Sequence, residues 1–214
     1  MSTQKSQDNL IKKIAFAGLM AALCYAGYAF IPPLPIPGLF DITSGTKVHF
    51  GNAFVVLGAL FLGGPYGGLA GAIGLSLADI LTGYGASAPR TFICKLLIGL
   101  IVGLVAHKVA EISKSHDKGY LTKWAIISAI SGLAFNVIFE PTLKYIWFSI
   151  VTPNADKAQS AIKTLVSITI ATSFVNAIIN SIVAVVAYLA LRPVLYKTGL
   201  LGELPSKRSK EALS

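Results

Sequence analysis

Apolar runs recur along nearly the whole of this 214-residue sequence, each bounded by prolines, glycines or charged residues. A helix needs roughly 20 residues to cross a hydrocarbon core, and several of these runs are of that order. With 54% hydrophobic and 13% charged residues, the chain reads as an all-α integral membrane protein. Six spans are expected, at about 11–30, 48–62, 66–81, 91–109, 121–147 and 162–191. They form a single membrane domain over residues 1–214 and leave no room for a soluble catalytic domain. The stops are physical ones, since neither proline nor glycine continues a helix cheaply. The cluster Pro32, Pro33, Pro35, Pro37 ends the first run, Gly63-Gly64-Pro65 the second, and Arg192-Pro193 the sixth. The first run exceeds the apolar region of a signal peptide and is expected to stay attached.

The net charge of +9 does not indicate a nucleic-acid partner, because the basic residues gather at span ends. Lys5, Lys12, Lys13, Lys108, Lys114, Lys118, Lys123, Arg192, Lys197, Lys207, Arg208 and Lys210 fall on one side. Lys47, Arg90, Lys144, Lys157 and Lys163 fall on the other, with Lys95 inside a span. The positive-inside rule then places both termini in the cytoplasm of a multi-pass protein of the cell (plasma) membrane. Cys24 and Cys94 sit in apolar runs without metal-ligand spacing and read as packing residues.

Against this apolar text stand Asp79, Lys95 and Glu140. A charge inside a span costs about 2.5–3.5 kcal/mol even on lenient insertion scales, so each needs a partner or a task. The topology brings all three to the extracellular half, with Arg90 in the loop between Asp79 and Lys95. Asn136 lies four residues before Glu140 and shares its helix face. Thr169, Thr172 or Ser173, Asn176 and Asn180 draw a polar stripe down the last span. Phe135, Phe139, Tyr145 and Trp147 offer apolar walls to a pocket with a few convergent polar groups.

Each of these has a plainer reading. Asn176 and Asn180 read equally as ligand contacts or as interhelical hydrogen bonds, Asn180 being the deeper and more structural of the two. Lys95 at a span end snorkels, or meets the carboxylates at its own depth. Asp79 is either a wall of the pocket or an interfacial helix end. His49 and Asn52 open the second span and face either the pocket or water. The proline segment from Phe30 to Gly38 is a stiff connector or a lid. Small residues at four-residue spacing, Ala17 and Ala21 or Ala22 and Ala26 in the first span, and Gly67, Gly71 and Gly74 in the third, let helices approach closely.

The stretch HFGNAFVVLGALFLGGPYGGLAGAIGLSLADILTGY, followed by APRTFICKLLIGLIVGLVAHKV, resembles the substrate-binding S components of energy-coupling factor (ECF) vitamin transporters. The resemblance extends over nearly the whole chain. It implies a transmembrane coupling subunit and two cytoplasmic ATPases as partners, besides the bilayer and a water-soluble vitamin. ATP is then used by those subunits. This chain has no G-x-x-x-x-G-K-[ST] motif and no cofactor of its own is expected. The resemblance also implies a vitamin site near the outer surface drawing on Lys95, Asn136, Glu140, Asn176 and the loops at Pro35 and Arg90. It implies a docking face for the coupling subunit at Ala17 and Ala21, and a toppling motion that carries the site inward.

Lys95 with Arg90 suits a carboxylate, which favours pantothenate slightly. Asp79 and Glu140 suit the hydroxyls and ring nitrogen of a vitamin B6 vitamer, the second choice. The alternative is a stand-alone proton-coupled secondary transporter, with Asp79 or Glu140 as relay. Such carriers commonly have repeated halves, and no internal repeat is evident here. An intramembrane enzyme is disfavoured, because His49, His107 and His116 are not paired at one depth.

Overall fold

The computed structural model describes residues 2–30, 47–151 and 155–197. Six α-helices account for most of them: α1 (Ser2–Ala29), α2 (Gly51–Leu62), α3 (Gly64–Leu81), α4 (Ala88–Gly103), α5 (Lys118–Val151) and α6 (Ala155–Lys197). A 3-10 turn at Gly85–Ser87 leads into α4, and a π-helical turn at Leu104–Val109 extends it. There is no strand among the described residues.

Four helical stretches are long and apolar enough to cross a membrane, namely Gln7–Ala29, Gly85–Val109, Lys118–Ile150 and Ala158–Lys197. Neither the third expected span, in α3, nor the second is among them, and the second is also short. Its helix, α2, has 12 residues, or about 18 Å of rise, against a hydrocarbon core of about 30 Å. All of α2 except Phe54 and Leu62 is buried. A helix that is apolar on every side belongs inside a bundle, and α1, α3, α4 and α6 all pack against it. The prolines also act differently from the sequence expectation. Pro65 and Pro89 open α3 and α4, but Pro141 and Pro193 lie inside α5 and α6, which continue to Val151 and Lys197. Membrane helices tolerate such prolines because neighbouring groups satisfy the freed carbonyls.

Glycine sets the packing. A Cβ on Gly99 would lie 2.2 Å from Gly68 Cα, and one on Gly103 would lie 2.1 Å from Gly64 N. The two helices α3 and α4 therefore touch backbone to backbone in antiparallel register. On its other sides α3 meets α2 through Gly67, where a Cβ would stand 2.2 Å from Ala59 N, and α1 through Gly74, 2.2 Å from the Ala21 carbonyl. The direct turn from α2 into α3 needs Gly63, whose φ of 87° is strained for any side chain.

The small-residue faces of α1 come out differently from the expectation. Ala17 and Ala21 are half-buried and pack on the core. One residue further on, Gly18 and Ala22 are exposed, and nothing lies within 4 Å of a Cβ placed on Gly18. The free small-residue face of α1 is therefore that of Gly18 and Ala22.

Gly68→Val and Gly99→Val are expected to destabilise by at least about 1–3 kcal/mol, because the clash is with backbone. Gly18→Val should stay within about 0.5 kcal/mol of the parent. Thermal unfolding in detergent, read as loss of monodisperse protein, separates the two outcomes.

Candidate functional site

The ends of α1 and α3 meet the starts of α2 and α4, flanked by the latter part of α5 and the middle of α6. A small polar cavity of about 30 Å³ lies there. Its lining includes Lys47, Asp79, Arg90, Lys95, Glu140 and Lys144. Among the described residues that line it, four cations thus face two carboxylates.

The charges are held by specific contacts. Lys95 Nζ donates to Glu140 Oε2 at 3.3 Å, and the same oxygen accepts from Asn136 Nδ2 at 2.7 Å. Lys95 is buried, 4% exposed, so it does not snorkel. Thr91 Oγ1 donates to Asp79 Oδ2 at 2.5 Å, which ties the end of α3 to the first turn of α4. Ser76 Oγ donates to the Ala88 carbonyl at 3.1 Å across the same pair of helices. Arg90 Nη2 donates to Ser87 Oγ at 3.0 Å, and its guanidinium lies 6.0 Å from the Phe148 ring. Lys144 Nζ donates to Thr169 Oγ1 at 2.9 Å, from α5 to α6.

The segment before α2 closes the cavity. Lys47 Nζ stands 3.7 Å over the Tyr28 ring, and burial draws its pKa below the ordinary lysine value against the opposing pull of Asp79. His49 packs edge-on to Tyr28 at 4.9 Å. This segment is fastened by two asparagines of α6. Asn176 Oδ1 accepts from the His49 N–H at 3.0 Å, and Asn176 Nδ2 donates to the Lys47 carbonyl at 3.0 Å. Asn180 Oδ1 accepts from the Ala53 N–H at 2.8 Å, and Asn180 Nδ2 donates to the His49 carbonyl at 2.9 Å. Extended backbone entering a helix has groups with no ladder to join, and these amides satisfy them.

A family model described as ECF-type riboflavin transporter, S component, matches residues 8–193. The chain belongs to that family. Searches of curated proteins and of solved structures gave no match. As an ECF S component, the protein is a membrane-embedded transporter subunit and not an enzyme.

Most of the residues singled out in the sequence meet in this S component. Asp79, Arg90, Lys95, Glu140, His49 and Asn176 all line the cavity. Asn136 stands behind Glu140 as its hydrogen-bond donor. Asn180 is wholly buried on backbone partners, and Asn52, 2% exposed, lies inside α2; neither lines the cavity. The expected aromatic walls are absent from the lining: Phe135 and Phe139 stack on each other at 5.0 Å instead, and Tyr145 is exposed. Pro35 and the proline segment beyond Phe30 lie outside the described residues.

Lys144, Lys47, Tyr28 and Thr91 were missed as site residues. Lys144 and Lys47 read in sequence as charges fixing topology, yet Lys144 is 2% exposed. The signal that would have found it was its place four residues after Glu140, on one helix face.

Asn180→Ala is expected to cost about 1–3 kcal/mol by orphaning buried backbone groups. Asn180→Asp, which keeps the acceptor for Ala53 N–H and loses the donor to His49 C=O, should also destabilise. A thermal midpoint equal to the parent's for both variants would show that the amide does not hold this segment.

Proposed function

We propose that this S component captures a small carboxylate-bearing vitamin in the cavity between α3, α4, α5 and α6. The observation that supports the reading is the charge balance: among the described residues that line the cavity, the cations Lys47, Arg90, Lys95 and Lys144 outnumber the carboxylates Asp79 and Glu140. Excess buried cations favour an anionic ligand. Pantothenate has such a group, with hydroxyls for Asp79 and Glu140. Riboflavin is the second reading, favoured by the description of the family model. Its uncharged tricyclic ring needs flat apolar walls, and among the described residues the aromatic side chains lining the cavity are Tyr28 and His49. A B6 vitamer is third.

A cavity of about 30 Å³ is far below the several hundred Å³ of a typical ligand pocket. Capture therefore requires it to open. The segment 47–50 is the natural element to move, because it is extended and is held by the α6 amides, the Tyr28 ring and one backbone bond, from the Phe50 N–H to the Gly27 carbonyl at 3.1 Å.

In the membrane the protein is proposed to form six spans, of which α2 is a short inner helix, and to hold both termini in the cytoplasm of the plasma membrane. The cavity then opens outside. Transport is proposed to need a transmembrane coupling subunit docked on the Gly18 and Ala22 face of α1, and two ATPases that hydrolyse ATP. The rival reading is a proton-coupled carrier acting alone.

Equilibrium binding of the purified chain to pantothenate, riboflavin and pyridoxine tests the substrate. Pantothenate is expected to bind most tightly, and Lys144→Met to weaken it by about tenfold or more, as loss of a buried charge partner does. Riboflavin binding with no response to Lys144→Met would overturn the carboxylate reading. A second experiment addresses the partners: Gly18→Trp and Ala22→Trp should abolish ATP-dependent uptake in the reconstituted complex while leaving vitamin binding intact. Uptake by the chain alone under a proton gradient would instead establish the rival.

A further inference from the structure

A groove runs between α5 and α6 on the outer face of the bundle, and its lining shares no residue with that of the polar cavity. It encloses about 720 Å³ and is lined by apolar side chains, with Ser181 the polar exception. Ile130, Ile138, Phe174, Ile178, Ile182 and Val186 all stand exposed along it. It extends over Ile126–Ile138 on α5 and Phe174–Val186 on α6, which is about 18 Å at the helical rise. That length approximates one leaflet of a hydrocarbon core of about 30 Å.

At Val186 the groove passes into a second recess of about 1040 Å³, at the end of the bundle that carries residues 2 and 197. The character of the lining changes there. Lys118, Lys197, Arg192 and His116 surround it, and no acidic residue lines it among the described residues. Arg192 forms the rigid back wall: its Nη2 donates to the carbonyls of Ile112 at 3.2 Å and Ser115 at 2.8 Å, and it stacks over Tyr196 at 4.8 Å. Asp117, the acid adjacent in sequence, is occupied in capping α5 through the Gly119 and Tyr120 N–H groups at 3.0 and 3.2 Å. The recess is therefore cationic where the apolar groove ends.

We infer that the α5–α6 face is a binding site for one anionic phospholipid, its phosphate held by Lys118 and Lys197 and an acyl chain laid along the groove. The apolar groove, one leaflet deep, joined to a cationic recess at helix ends, matches the two parts of such a molecule. A zwitterionic lipid such as phosphatidylcholine fits the groove, but its choline cation offsets the attraction of the recess for its phosphate. Basic pockets between transmembrane helices are the usual place for anionic head groups. The site rests on the membrane nature of the chain and not on which vitamin the cavity takes.

Native mass spectrometry of the full chain tests this directly, with dioleoyl-phosphatidylglycerol or dioleoyl-phosphatidylcholine added to the delipidated protein. One phosphatidylglycerol is expected to remain bound under conditions that strip phosphatidylcholine. Lys118→Gln combined with Lys197→Gln should lower that retention about thirtyfold, from roughly one surface charge's worth of attraction for each of the two lysines. Ile182→Trp, which fills the groove without altering charge, should lower it as well. Lys12→Gln with Lys13→Gln removes the same charge from α1 and should leave retention unchanged. Equal loss in the α1 variant, or none in the Lys118 and Lys197 variant, would overturn the site. So would displacement of the lipid by equimolar glycerol phosphate, retention only after residues 198–214 are removed, or a second copy of the chain on the face in place of lipid.

Discussion

The contact between α3 and α4 at Gly64, Gly68, Gly99 and Gly103 is the constraint on which the rest of the structure depends. No side chain separates the two backbones there, so the antiparallel register has little freedom to slide. Three turns further along the same pair, that register sets Ser76 against Ala88 and Asp79 against Thr91. The position of a buried carboxylate thus follows from glycines more than 10 residues away. Gly67 and Gly74 extend the same logic to α2 and α1, making α3 the helix around which the others are placed.

Once the helices are fixed, the charged end of the bundle becomes affordable in physical terms only through mutual contacts. Lys95 meets Glu140, Glu140 meets Asn136, Asp79 meets Thr91, and Lys144 meets Thr169. A buried ion pair contributes little net stability, because desolvation offsets its attraction. On the proposed function, such a cluster is a prepared environment for a charged ligand rather than a means of holding helices together. The helices already have their glycines. The segment before α2 is held mainly by the amides of α6, with one backbone bond to α1, whereas the core beneath it packs backbone on backbone.

The sequence was most legible where chemistry and helical spacing coincide. Asp79, Lys95 and Glu140 stand out because charge in an apolar run is costly, and Asn136 follows from its four-residue offset to Glu140. All four meet at one end of the bundle. Asn176 and Asn180 were visible as a stripe, but their role was not, since a stripe does not reveal whether a ligand or a backbone segment lies opposite. Lys144 was hidden for the opposite reason. Its position near a helix end reads as a topology signal, and only α6 packed across from it makes it an interior residue.

By itself, then, the sequence determined the class of the protein, the family pattern in residues 49–109, the places where most helices begin and the ionisable residues that need company. These are local matters of hydropathy, helix breakers and spacing. Tertiary structure decided that α2 is an inner helix too short to cross on its own, that Ala17 and Ala21 turn inward while Gly18 and Ala22 face out, and that, among the described residues, four cations share a cavity with two carboxylates. Those outcomes depend on which helix faces which, and that is set by close backbone contacts between residues far apart in the chain, which no local pattern records.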